Sequence, residues 1–173
     1  MDAADLRRFV RDIPDFPKPG ILFRDVTPLL LEPDALRAAA DAIAAPFADA
    51  RVDRVPGIES RGFLLGAPVA LALGVGLGLV RKKGKLPYRT HQVSYDLEYG
   101  TDTVEMHVDA VTKGHRVLIV DDLVATGGTA AAAIALAREA GGFVVGCAFL
   151  IELIELGGVK RLDVPQVHAV IRY

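Results

Sequence analysis

The sequence has no tryptophan, one cysteine, few aromatic residues (6%) and no excess of either charge, with Lys and Arg totalling 20 against 22 for Asp and Glu. Each shortage excludes something. A lone Cys147 permits neither an internal disulfide nor a thiolate zinc cluster, which points to a reducing compartment, the cytoplasm. A formal net charge of -2 gives no global positive field to draw the chain to nucleic acid, so any anion must be bound locally. The acidic opening Met1-Asp2-Ala3-Ala4-Asp5 is unlike the basic start of a signal peptide. The uncharged run over 62–80 is broken by Pro68 and by Gly66, Gly74, Gly76 and Gly78. It reads as a buried helix to about Leu73, a glycine stop and a strand over 75–80, and no membrane association is expected.

What is present is apolar content (51%) in 173 residues, enough for a single domain burying roughly 70% of its unfolded surface. Leu6, Phe9, Val10 and Ile13 have the spacing of a short amphipathic helix, which Pro14 ends before an extended loop to Gly20. Asp34 is placed to cap a second helix through Leu36, Ala40, Ile43 and Phe47. A strand over 52–55 and a Pro56-Gly57 turn follow, and the alternation of short strands with helices predicts an α/β fold with an open, mostly parallel central sheet. Residues 92–99 and 103–110 alternate apolar with polar around the turn Gly100-Thr101-Asp102, which predicts an isolated and therefore mobile antiparallel hairpin.

The chemistry concentrates after Val117-Leu118-Ile119-Val120, a central-strand run that gives way to Asp121-Asp122, then Ala125-Thr126-Gly127-Gly128-Thr129, then a helix over 130–140. Gly141-Gly142 stop that helix before a strand over 143–150. Ligands of such sheets gather at the carboxyl ends of strands. The glycines let backbone approach an anion, the first helical N–H groups point at it, and the threonine hydroxyls donate further bonds. Two carboxylates suit sugar hydroxyls better than phosphate, so the pattern fits a phosphorylated sugar. Read singly, the aspartates could be a solvated strand end and the Thr-Gly-Gly-Thr an ordinary helix entry. No Gly-Lys-Ser/Thr follows, which excludes a Walker A loop, and Gly74 to Gly78 lacks dinucleotide spacing.

VLIVDDLVATGGT at 117–129 resembles the phosphoribosyl pyrophosphate motif of the type I phosphoribosyltransferase family. FPKPGILFRDVTPLL at 16–30, GIESRGF at 57–63, RKKGKLP at 81–87 and SYDLEYG at 94–100 narrow the resemblance, over nearly the whole chain, to members acting on adenine. It implies the family's fold, with residues 1–33 as a small base-binding hood and 82–108 as a mobile lid. The implied reaction joins adenine and phosphoribosyl pyrophosphate to give AMP and pyrophosphate, with magnesium carried on the donor rather than at a dedicated protein site. A cytoplasmic homodimer is also implied. Pro56 and Asp96 stand where the family commonly has other residues, and neither falls on an implied contact.

Residue by residue, the resemblance implies that Ala125, Thr126, Gly127, Gly128 and Thr129 wrap the 5-phosphate while Asp121 and Asp122 hold the ribose hydroxyls. Arg61, with the backbone at Glu59 and Ser60, would take the departing pyrophosphate, where a guanidinium fork stabilises gathering charge. Lys82 and Lys85 would add charge, though either also reads as a solvated basic turn. Phe23, otherwise a core residue, would stack on the purine, and the backbone of Leu22 and Arg24 would read its edge. Glu98 would handle the purine proton, although Asp96 and Glu105 are equally plausible solvated carboxylates by sequence. Tyr99, with Tyr95 on the opposite hairpin face from Glu98, would bond across the closed lid. His91, His107, His115 and His168 have no ligand spacing. Two other readings use the same residues: a transferase for hypoxanthine, guanine or xanthine, and a non-catalytic sensor of the donor that regulates nucleic acid.

Overall fold

Val117 to Val120 are wholly buried because their strand runs through the middle of a seven-stranded sheet, in a computed structural model that describes residues 1–96 and 100–173. The strands are β3 (Arg54–Ile58), β4 (Gly76–Lys82), β5 (Thr90–Asp96), β6 (Thr101–His107), β7 (Arg116–Val124), β8 (Phe143–Glu152) and β9 (Val167–Arg172), after a separate pair, β1 (Arg11–Pro14) and β2 (Leu22–Asp25). Their order is β5-β6-β4-β3-β7-β8-β9, parallel from β4 to β9, with β6 antiparallel to both β4 and β5. Successive side chains of β7 enter opposite cores. Leu118 and Val120 pack with α3 (Pro33–Ala44) and α4 (Arg61–Leu73), and Val117 and Ile119 with α5 (Gly128–Glu139). Among the described residues no helix is long and apolar enough to cross a membrane.

Several elements differ from the sequence expectation. The first helix, α1 (Ala3–Arg7), is held by a capping box between Asp2 and Asp5 and stops before Phe9. Residues 11–14 instead pair with β2, from Arg11 against Asp25 to Pro14 against Leu22, a partnership that local periodicity does not register. A short α2 (Thr27–Leu31) follows. Asp34 is not a cap: Pro33 takes the first position of α3, and its fixed φ pre-sets the helical turn.

Pro56 and Gly57 do not turn. They lie inside β3, whose pairing with β7 is registered at Arg54 and Gly57. A Cβ on Gly57 would meet the Gly62 carbonyl oxygen at 2.7 Å, so the bare backbone is what allows the first turn of α4 to lie on the sheet. The hairpin is not isolated either. Arg81 and Lys82 of β4 pair with Glu105 and Val104 of β6, and Val104 and Met106 join the core. β7 continues through Asp121 and Asp122 to Val124, so the aspartates sit within the strand. Strand β9 and two short 3-10 turns, Ile154–Leu156 and Gly158–Arg161, were not evident in the sequence.

Candidate active site

The end of β7 opens into two adjoining cavities. The smaller, about 120 Å³, is a cradle formed by the backbone from Ala125 to Gly128, with Thr129 and Ala130 of α5 behind it. Gly127 caps α5 in the left-handed region (φ 80°), and a Cβ there would meet the Gly158 carbonyl oxygen at 2.4 Å. A Cβ on Gly158 would in turn lie 2.2 Å from the Ala125 carbonyl oxygen. The turn over 158–161 is thus pressed against the back of the cradle, and Arg161 donates from Nη1 to the Thr126 carbonyl at 3.2 Å. With its free N–H groups at the helix start, the cradle is built to accept an anion.

The larger cavity, about 470 Å³, shares Asp121, Leu123 and Thr129 with the cradle and extends past Glu59, Ser60, Arg61 and Lys82. Asp122 is buried and accepts from Arg61 Nε at 2.5 Å. Burial, and then the Asp122 carboxylate beside it, push the pKa of Asp121 well above the usual carboxylate range. Glu59 shows the opposite balance. Burial alone would raise its pKa, yet the Lys85 ammonium, the Lys82 backbone N–H at 3.1 Å and the Arg81 guanidinium hold it at about 2. Lys82 Nζ lies 3.0 Å from Asp102, which keeps the Asp102 carboxyl below and the ammonium above their ordinary values. Every cation at this rim therefore rests on a carboxylate of the chain.

Most of the residues expected from the sequence come together around the two cavities. Glu59, Ser60, Arg61, Lys82, Asp121, Asp122 and Thr129 line one cavity, Ala125 to Gly128 form the other, and Lys85 joins through Glu59. Phe23 adjoins the site because the Arg61 guanidinium lies 5.0 Å from its ring centroid, and Phe16 packs edge-on against it. Leu22 is exposed on β2, and the Arg24 side chain pairs with Asp12 and covers the Tyr173 ring at 3.7 Å, so its guanidinium is turned toward groups of the chain itself. Glu98 and Tyr99 lie outside the described residues. Sequence reasoning missed Arg81, Asp102 and the cavity position of Tyr95, whose hydroxyl lies 3.2 Å from Thr129 Oγ1. The placement of Arg81 in the same basic run as Lys82 and Lys85 was the available signal.

The family model for the phosphoribosyl transferase domain matches residues 29–167. The adenine phosphoribosyltransferase of Rhodopirellula baltica is 53% identical over 169 residues, covering 98% of this chain and 82% of that protein. The crystal structure of the adenine phosphoribosyltransferase of Rhodothermus marinus is similar at a TM-score of 0.94 and 56% identity, over 99% of this chain and 98% of the other. The Saccharomyces cerevisiae adenine phosphoribosyltransferase, complexed with an imino-altritol bisphosphate and adenine, has a TM-score of 0.92 at 40% identity, covering 97% of each chain.

Proposed function

This chain belongs to the phosphoribosyltransferase family, in its adenine-specific branch, and we propose that its two cavities hold the two ends of phosphoribosyl pyrophosphate. The enzyme transfers the phosphoribosyl group to adenine, giving AMP and pyrophosphate, a purine-salvage reaction. One observation carries the assignment of the ends: the anion cradle of 125–129 and the cation-rimmed cavity meet at Asp121, Leu123 and Thr129, so one ligand spans both. The 5-phosphate occupies the cradle. The ribose lies over Asp121 and Asp122, whose side-chain oxygens bond its hydroxyls. The pyrophosphate faces Arg61, Lys82 and Lys85.

In the transfer, the imidazole-ring nitrogen of adenine forms a bond to the anomeric carbon as the bond from that carbon to pyrophosphate breaks. The bonding electrons leave with pyrophosphate, and the purine proton is lost, with Glu98 the assigned acceptor. Arg61 acts on the leaving side, where a guanidinium already in position stabilises charge that develops only in the transition state. It also ties this side to the base side, since its guanidinium faces the Phe23 ring. Phe23 stacks on adenine and the backbone of Leu22 and Arg24 reads its edge. Once ionised, the oxygens of Asp121 and Asp122 would be hard donors suited to a magnesium ion that arrives with the donor. When bound, that ion supplies neutralising charge to the pyrophosphate.

The outer part of the β5–β6 pair, beyond the core-anchored Val104 and Met106, acts as the lid that keeps water from the ionising sugar. The Tyr95–Thr129 contact supports this, because it joins β5 to the cradle. The enzyme works in the cytoplasm, consistent with a single buried thiol, Cys147. It acts as a homodimer, consistent with the strongly exposed Leu31, Leu64 and Leu71 on α2 and α4. The deciding experiment incubates the protein with donor, magnesium and each purine in turn. Adenine alone should be turned over rapidly. Turnover of 6-oxopurines in its place would overturn the edge reading at 22–24.

A further inference from the structure

Glu105 breaks the alternation of β6. It falls between Val104 and Met106, where a strand with one wet face would expose it, yet it is only 2% exposed. A carboxylate in such surroundings is costly unless its oxygens are occupied. Here all partners come from the chain. Oε1 accepts from the backbone N–H of Lys85 at 3.0 Å and of Leu86 at 2.9 Å, and Oε2 accepts from Thr90 Oγ1 and Gln92 Nε2, each at 3.3 Å. Burial would raise its pKa, but the N–H groups of residues 84–86 keep it below the usual carboxylate value.

These bonds fold the basic segment between β4 and β5 back onto the sheet. The Lys85 backbone is gripped from both sides: its N–H by Glu105, and its carbonyl by Arg81 Nη1 at 3.1 Å. Lys83 N–H is fixed as well, by the Thr103 carbonyl at 3.0 Å. From this anchored position Lys85 Nζ reaches Glu59 at the cavity rim. An ammonium on a free loop would sample many positions and lose side-chain and backbone freedom on meeting an anion.

We infer that Glu105 is a positioning residue for the pyrophosphate end of the site: it touches no substrate, and it pre-sets the backbone of residues 85 and 86 so that Lys85 faces the leaving group. The inference rests on the proposed placement of pyrophosphate at Lys85. It differs from a purely structural role, which would disturb both ends of the donor alike.

The test uses the full-length enzyme in both directions of the reaction. Glu105→Ala should raise the KM for phosphoribosyl pyrophosphate, and for pyrophosphate in reverse, by about tenfold, since two charge-assisted bonds to the loop are lost. The KM values for adenine and AMP, which do not engage the pyrophosphate subsite, should stay within about twofold. Glu105→Gln should restore most of the loss, because its amide oxygen still accepts from residues 85 and 86. Combining Glu105→Ala with Lys85→Ala should be no worse than Lys85→Ala alone. A uniform rise in all four KM values, or full additivity, overturns the inference. If Lys85→Ala raises the pyrophosphate KM and Glu105→Ala does not, the inference alone falls. If Lys85→Ala has no effect, the placement of pyrophosphate falls and the inference with it. Should Glu105→Ala lose its melting transition, Glu105→Asp, charged but one carbon too short to reach the loop, must show the same selective rise or the inference fails.

Discussion

Alanine at Gly158 would place a methyl group 2.2 Å from the Ala125 carbonyl oxygen and 2.7 Å from the Gly127 nitrogen, both of them backbone atoms of the proposed phosphate cradle. No flexible side chain is there to yield, so cradle and turn must part by about 1 Å, a displacement on the scale that costs enzymes on the order of 10²-fold. Hydrogen bonds from the cradle N–H groups to a phosphate would stretch beyond useful range, and charge-assisted bonds are worth about 1.5–3 kcal/mol each. The expected result is a rise of about 10- to 100-fold in the KM for phosphoribosyl pyrophosphate and for AMP, with pyrophosphate in the reverse reaction little affected. Gly157→Ala is the control. Its φ of 63° strains an alanine, but nothing lies within 4 Å of the added carbon. It should lower the melting temperature through a backbone cost of about 1–2 kcal/mol while leaving both KM values alone. Steady-state kinetics and thermal melts on the two variants separate the effects. A folded Gly158→Ala enzyme with the wild-type KM for the donor would refute the view that the turn sets the cradle's shape.

Arg61→Ala should reduce kcat by about 10²–10³-fold, the scale of losing one preorganised donor at a developing charge; a fall below tenfold in single-turnover assays would remove Arg61 from the leaving-group role. Tyr173→Ala removes the ring held between the Arg7 and Arg24 guanidinium groups, at 4.1 and 3.7 Å. Freed from that ring, β2 should loosen and the KM for adenine rise several-fold, about what cation–π contacts supply, with the donor KM unchanged; equal changes in the two would count against it. Glu59 has a folded pKa of about 2 against an ordinary 4.5. Because the folded value is depressed, its stabilisation is complete above pH 4.5 and is lost as pH falls toward 2. Wild type should therefore lose up to about 3 kcal/mol more than Glu59→Gln across that window in chemical denaturation. Parallel stability curves would contradict the pairing.

Legibility in the sequence followed the range of the interactions. The run from Val117 through Thr129 could be read directly because strand, turn and helix start are contiguous, and the structure keeps them so. Arg61 was legible as a candidate, but its partner Asp122 is sixty-one positions away and reaches it only through the close contact of α4 with the sheet. Ile13 carried helical spacing and was claimed by a strand partner, Phe23, that local periodicity does not reveal. Pro56 read as punctuation and proved to be in a central strand. Glu105 was hidden for a similar reason. A glutamate in an alternating strand looks solvated until the loop folding over it brings N–H groups to its oxygens.

The self-contained ion pairs at the rim have a bearing on turnover. Arg61 on Asp122, Lys82 on Asp102 and Lys85 on Glu59 mean that an arriving polyanion must displace tethered counter-ions rather than fill bare positive charge. A small monoanion would recover too little to break several partly dehydrated pairs, whereas the pyrophosphoryl group proposed for this cavity would address them together. As the inorganic product departs, the more exposed cations would return to the same carboxylates, which are held in place by the sheet and its loops. Those carboxylates compete with the product for its own seat, so a site strong enough to draw electrons from the sugar does not become one that cannot let go.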